Sequence, residues 1–185
     1  LFSPEELRAG RGWEVRTTLN LDWQRLAEQA VSSQLERLRT QSDDPCGHNV
    51  NSAALAAIDP RSGEILAMVG SPDYFDASQA GAVNMALSPR QPGSALKPLI
   101  YAAAFDPQQP QPWSPGTMIL DVTTHFETHE GKPYTPVNYD GLEHGPVLAR
   151  EALASSLNIP AVIALEHVGL PAFYSFANRL GVTTL

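Results

Sequence analysis

The first regular pattern along the chain is helical. Leu21, Leu26, Ala30, Val31, Leu35 and Leu38 share a stripe, Gln24, Arg25, Glu28 and Arg37 lie mostly outside it, and Asn20 or Asp22 stands where an N-cap belongs. An amphipathic helix to about Arg39 is predicted. Ahead of it, Trp13-Glu14-Val15-Arg16-Thr17 alternates large and polar residues, as a short half-buried strand does. The clearest sheet signal follows: Ala53 to Ile58 and Glu64 to Val69 are apolar runs of strand length, and Asp59-Pro60-Arg61-Ser62-Gly63 between them has the turn chemistry of an antiparallel hairpin. Because both runs are apolar at nearly every position, both faces of this hairpin are expected to be covered.

From 70 to 89 no period dominates. A helix is predicted from Ser94 to about Phe105, with Pro98 in its first turn or two, where a missing amide donor costs least. Asp106 to Gly145 is rich in proline, glycine and polar residues, which predicts a long loop with at most short strands. Three helices close the chain: Leu148 to about Ser155, Pro160 to about Val168 and Pro171 to about Leu180, with a break at Ser156-Leu157-Asn158 and a stop at Gly181.

Composition narrows the function classes. At 185 residues with 43% apolar content, the chain can bury a real core. No apolar run approaches the roughly eighteen residues that cross a bilayer and no export signal opens the sequence, so any membrane anchor is expected outside it. A net charge of −8 argues against nucleic acid as a partner. Cys46 is the only cysteine, which excludes an intrachain disulfide and a cysteine-based metal cluster.

Two short patterns carry candidate chemistry. Ser94 and Lys97 stand three apart at a helix start, so they share a face; a serine hydroxyl becomes a good nucleophile when a neutral amine takes its proton. Ser156-Leu157-Asn158 adds a hydroxyl able to relay a proton and a carboxamide able to hold a peptide bond. Each has a plainer reading, a capping serine with a solvated lysine, and Asn158 as an N-cap with Pro160 just inside the helix. His125 and His129, with Glu127 and Glu130, would suit a metal only on a helix, whereas Val122-Thr123-Thr124 and Gly131-Lys132-Pro133 frame a strand or loop. A solvated segment and no metal are expected there. Trp13, Trp23 and Trp113 are expected in core or interface positions.

Longer stretches turn these patterns into a resemblance. Thr17-Thr18-Leu19-Asn20, Ile58 to Gly70, Arg90-Gln91-Pro92-Gly93-Ser94-Ala95-Leu96-Lys97-Pro98, Tyr134-Thr135-Pro136-Val137-Asn138-Tyr139 and Glu151 to Asn158 occur in that order. Together they resemble the transpeptidase domain of class A penicillin-binding proteins, which join glycosyltransferase and transpeptidase modules. The resemblance implies an α/β (α+β) fold of the penicillin-binding-protein and serine β-lactamase type, an antiparallel sheet with helices on both faces. It implies that residues 1–20 are a linker and lead-in strand from an upstream module and that 21–185 are part of the transpeptidase domain. By the same resemblance Ser94 is the nucleophile, Lys97 its base, Ser156 the proton relay and Asn158 a holder of the substrate amide, with a backbone amide at Ser94 giving half of an oxyanion hole.

The implied chemistry is acyl transfer on D-Ala-D-Ala stem peptides and acylation by β-lactams, without a cofactor. The implied location is the outer face of the bacterial cytoplasmic membrane. The family's third element, Lys-Thr-Gly, is absent: Lys132 is followed by Pro133. That element is expected after Leu185, which makes the sequence the N-terminal portion of the domain, inactive alone and prone to self-association through an uncovered sheet edge. Two alternatives remain open: a β-lactam sensor or hydrolase, for which Glu143 and Glu151 are the candidate water-activating carboxylates, and a noncatalytic interaction module of the same fold.

Overall fold

The computed structural model describes residues 8, 14–40, 48–128 and 131–185. The lead-in before Glu14, including Trp13, lies outside them apart from Arg8, as do Cys46, His129 and Glu130. The chain forms two compact units, Leu1–Arg90 and Gln91–Leu185.

In the first unit, helix α1 spans Leu21–Thr40. Asn20 starts it, its side-chain oxygen accepting from the amides of Asp22 (3.0 Å) and Trp23 (3.2 Å). Strands β1 (Leu55–Ile58) and β2 (Ile65–Val69) form the expected antiparallel hairpin, with Leu55 opposite Val69 and Ala57 opposite Ala67. Ala27, Val31 and Leu35 of α1 pack with Ala67 and Val69 of β2 into this unit's core.

Three expectations are corrected here. Residues 14–17 are exposed and form no strand. The second face of the hairpin leaves Ala56 and Ile58 exposed among the described residues, so α1 covers one face only. Finally, Leu21 and Leu26 are exposed, whereas Gln24, assigned to the polar side, turns onto the sheet. Its carboxamide donates to the Met68 carbonyl (3.1 Å) and accepts from the Met68 amide (2.9 Å). A carboxamide presents one donor and one acceptor in the geometry of a peptide group, so it can stand in for a neighbouring strand. The Asn20 amide on the Leu66 carbonyl (2.8 Å) and the Thr18 hydroxyl on the Ile65 carbonyl (2.7 Å) complete the same edge.

The second unit opens with a 3-10 turn, Gly93–Leu96, that runs into helix α2, Lys97–Ala104, with Pro98 in its first turn as expected. Strand β3 (Met118–Asp121) pairs antiparallel with β6 (Gly145–Leu148), and β4 (Phe126–Glu127) with β5 (Pro133–Tyr134). Helices α3 (Ala149–Ala154), α4 (Asn158–Val168) and α5 (Leu170–Arg179) follow, α4 and α5 meeting at 91°. Gly169 makes that corner with a φ of 77°, a conformation costly for any residue with a Cβ. Ala103 and Ala104 of α2, Ala152 of α3 and Ala161 and Ala164 of α4 are buried together with Tyr101, Ile119 and Phe173. Their small side chains let three helices approach closely, which fixes the positions of the helix ends that carry Lys97 and Asn158. Among the described residues no single helix is long and apolar enough to cross a membrane.

Candidate active site

Lys97 is the first residue of α2 and only 8% exposed. A lysine is rarely buried unless its donors are satisfied, and here they are. Its Nζ lies 2.5 Å from the Ser156 carbonyl oxygen, 2.6 Å from Asn158 Oδ1 and 3.1 Å from Ser156 Oγ. Burial holds its pKa below the ordinary lysine value, which raises the share of neutral amine near pH 7. A neutral amine has two N–H bonds and one lone pair. With the N–H bonds directed to the Ser156 carbonyl and Asn158 Oδ1, the lone pair is left for a hydroxyl proton.

Ser156 sits between α3 and α4 with a φ of 53°, one of the few non-glycine residues in the left-handed region. Such a conformation costs on the order of 1 kcal/mol and persists only where the surroundings enforce it. Here it turns the Ser156 carbonyl and hydroxyl toward the same amine.

Ser94 is exposed, in the 3-10 turn, where residues i and i+3 eclipse and so share a face with Lys97. Its hydroxyl has no hydrogen-bond partner among the described residues; Lys97 is engaged by Ser156 and Asn158 instead. Gly93, at a φ of 54°, sets up the turn. Gly93, Ser94, Lys97, Tyr134, Asn158 and Leu165 line an open cleft of about 430 Å³.

The capping reading of Asn158 is replaced by a different one. Asn158 is the first helical residue of α4, and its side chain points away from the helix amides: Nδ2 donates to the Val137 carbonyl (2.7 Å) and Oδ1 accepts from Lys97. The cap comes from Asn138, whose Oδ1 accepts from the amides of Asn158 (2.8 Å) and Ile159 (3.3 Å). Asn138 in turn donates Nδ2 to both oxygens of the fully buried Asp121 (3.0 and 2.8 Å) and to the Leu142 carbonyl (2.8 Å). Asp121 also accepts from the His144 amide (3.1 Å) and from His144 Nδ1 (2.6 Å). The sequence signals Asn138 only through its place in the Tyr134 to Tyr139 stretch.

Other candidates are engaged elsewhere. Glu143 accepts from the amide and hydroxyl of Thr123, the hydroxyl bond being the chief reason its pKa is lowered. Glu151 accepts from the Leu148 amide at the start of α3 (3.2 Å), and neither carboxylate lines the Ser94 cleft. His125 pairs with the Thr135 hydroxyl (2.7 Å) beside the β4–β5 hairpin, not on a helix. No group of three or more metal-ligating side chains comes together among the described residues. Trp113 stacks on His167 (4.6 Å) against the core, while Trp23 is 53% exposed and so not a core residue.

A model of the penicillin-binding protein transpeptidase domain matches residues 53–184. The chain belongs to this transpeptidase family. It is 34% identical over 182 residues to penicillin-binding protein 1C of Escherichia coli, covering 98% of this chain and 21% of that protein. Identity to penicillin-binding protein 2D of Bacillus subtilis is 33%, covering 93% of this chain and 23% of the other. Among solved structures, penicillin-binding protein 1A of Haemophilus influenzae superposes with a TM-score of 0.62 at 28% identity, over 73% of this chain and 19% of that one. PonA1 of Mycobacterium tuberculosis shares the fold, with a TM-score of 0.74 at 24% identity over all of this chain and 42% of that one. The chain thus spans about a fifth of the length of the curated relatives it matches. The mixed α/β transpeptidase fold expected from the ordered motifs is the one found.

Proposed function

We propose that the protein containing this chain is a serine D,D-transpeptidase of peptidoglycan synthesis, with Ser94 as nucleophile, Lys97 as base, Ser156 as proton relay and Asn158 as a holder of the substrate amide. The observation that carries the reading is the placement of a buried Lys97 amine against both Ser156 and Asn158, with Ser94 exposed on the wall of the same cleft. Ser94 Oγ attacks the carbonyl carbon of the penultimate D-Ala as its proton passes to the neutral Lys97 amine. The C–N bond to the terminal D-Ala breaks, and a proton delivered through the Ser156 hydroxyl neutralises the leaving amine. The developing oxyanion is met by the Ser94 backbone amide in the 3-10 turn that leads into α2. An amine of a neighbouring stem peptide then attacks the ester, the acyl C–O bond breaks, and Ser94 regains its proton. β-Lactams enter by the first half of this sequence.

The 33% to 34% identity to penicillin-binding proteins 2D and 1C supports an upstream glycosyltransferase module and a membrane-anchored parent acting outside the cytoplasm. The engagement of Glu143 and Glu151 away from the cleft disfavours a hydrolase. The test is acylation of the whole protein by a fluorescent penicillin: stoichiometric labelling, abolished in Ser94→Ala, is expected. Labelling that survives Ser94→Ala, or sustained turnover of a chromogenic cephalosporin, refutes the assignment.

A further inference from the structure

We propose that Asn138 is a positioning residue for the reacting groups: it transmits the fixed orientation of the buried Asp121 carboxylate to the turn that carries Ser156 and Asn158. This rests on the reading of Lys97 as the base for Ser94. Asp121 is fully buried and already accepts from the His144 amide and from His144 Nδ1, so its carboxyl oxygens face donors and Asn138 meets them with its amino group. Asn138 meets both of its oxygens through Nδ2, at 3.0 and 2.8 Å. That choice leaves Oδ1 of Asn138 directed the other way, onto the amides of Asn158 (2.8 Å) and Ile159 (3.3 Å). A flipped carboxamide would set oxygen against carboxylate and N–H against N–H at the same time.

The neighbouring residue completes the device. The Val137 carbonyl accepts from Asn158 Nδ2 (2.7 Å), which turns Asn158 Oδ1 toward Lys97 Nζ (2.6 Å). Segment 137–138 therefore fixes both the start of α4 and the direction of the Asn158 carboxamide. The first sets where the Ser156 carbonyl lies; the second sets one of the two acceptors that orient the Lys97 lone pair. Without Asn138 the amides of Asn158 and Ile159 lose their acceptor and Asp121 loses its two-point donor. The turn then relaxes toward an ordinary φ at Ser156, and the amine loses its fixed direction without leaving the cleft.

The experiment is performed on the whole protein, resolving penicillin acylation into its saturating rate constant and half-saturating concentration, well below the melting temperature. Asn138→Ala is expected to lower the saturating rate constant at least tenfold while the half-saturating concentration moves less than threefold. Asn138→Asp, which can cap α4 but sets a carboxylate against Asp121, is expected to show the same split. Ile119→Val, a core change in the same unit, serves as the stability control and is expected to lower the melting temperature with an unchanged rate constant per folded molecule. An unchanged rate constant per folded molecule in both Asn138 variants, or failure of both to fold, overturns the inference. Ser94→Ala in the same assay separates the two levels: if it still acylates, the assignment of the site fails, and if it does not, only the role of Asn138 is in question.

Discussion

Two turns, one at each side of Lys97, solve opposite problems. The Gly93–Leu96 turn presents Ser94 exposed and without a hydrogen-bond partner among the described residues, with a glycine supplying the positive φ. The Ser155 to Asn158 turn puts the positive φ on a serine and engages almost every polar atom in reach, with the Ser156 carbonyl, Ser156 Oγ and Asn158 Oδ1 all on one amine. A nucleophile must be free to approach substrate, whereas the groups that move its proton must not wander. The contrast assigns strain to the positioning side of the site and freedom to the attacking side.

Replacing the amine should break the comparison most severely. Lys97→Met removes the base: penicillin acylation in the whole protein is expected to fall about a thousandfold, with a modestly lower melting temperature because the Ser156 carbonyl and Asn158 Oδ1 lose their donor. A rate within tenfold of wild type would end the role of Lys97 as base. In the wild type, acylation should rise with pH through the lowered pKa of Lys97, and that limb should vanish in the Met variant. Ser156→Gly separates strain from chemistry on the other turn. Relief of the left-handed serine should stabilise the unit by about 1 kcal/mol, while loss of the relay hydroxyl costs roughly a hundredfold in acylation. If stability falls instead, the positive φ is not a stored cost.

Gly93→Ala tests the free side. No atom lies within 4 Å of the added Cβ, so its effect is purely conformational: a loss of about 1 kcal/mol in denaturant unfolding. Any larger loss would mean that the turn is packed, not merely shaped. The smallest effect concerns His144. Its pKa is raised, first by the hydrogen bond to Asp121 and also by Asp140, whose carboxylate lies 3.1 Å from the other ring nitrogen. A raised histidine pKa contributes stability that is fully present below the unfolded value near 6.5 and is lost as pH rises through the folded value. Melting temperature should therefore decline over that window, and His144→Gln should flatten the decline.

What the sequence made legible was local. Ser94 and Lys97 are three residues apart, and the hairpin turn at Asp59 to Gly63 announces itself in its own residues, with Asp59 Oδ1 accepting from the Arg61 amide at 2.8 Å. The plainer reading of Asn158 as a cap fails because its side-chain partners are distant: Val137 lies 21 residues away and Lys97 lies 61. The position of strand β3 within the loop-rich stretch is not legible, because Met118 and Leu120, on its exposed face, are as apolar as Ile119 and no alternation marks it. Gln24 looked polar and therefore outward, whereas its amide geometry suited it to a backbone edge. For Asn158 and Gln24 a long-range hydrogen bond, invisible to periodicity, decided the outcome.

The cover that Thr18, Asn20 and Gln24 place along β2 gives the hairpin a growth polarity. With the Ile65, Leu66 and Met68 carbonyls and the Met68 amide occupied by that cover, the edge left open to an incoming strand among the described residues is that of β1. The start of α1 thus acts as a terminator, which makes the hairpin a one-sided template for assembling a larger sheet.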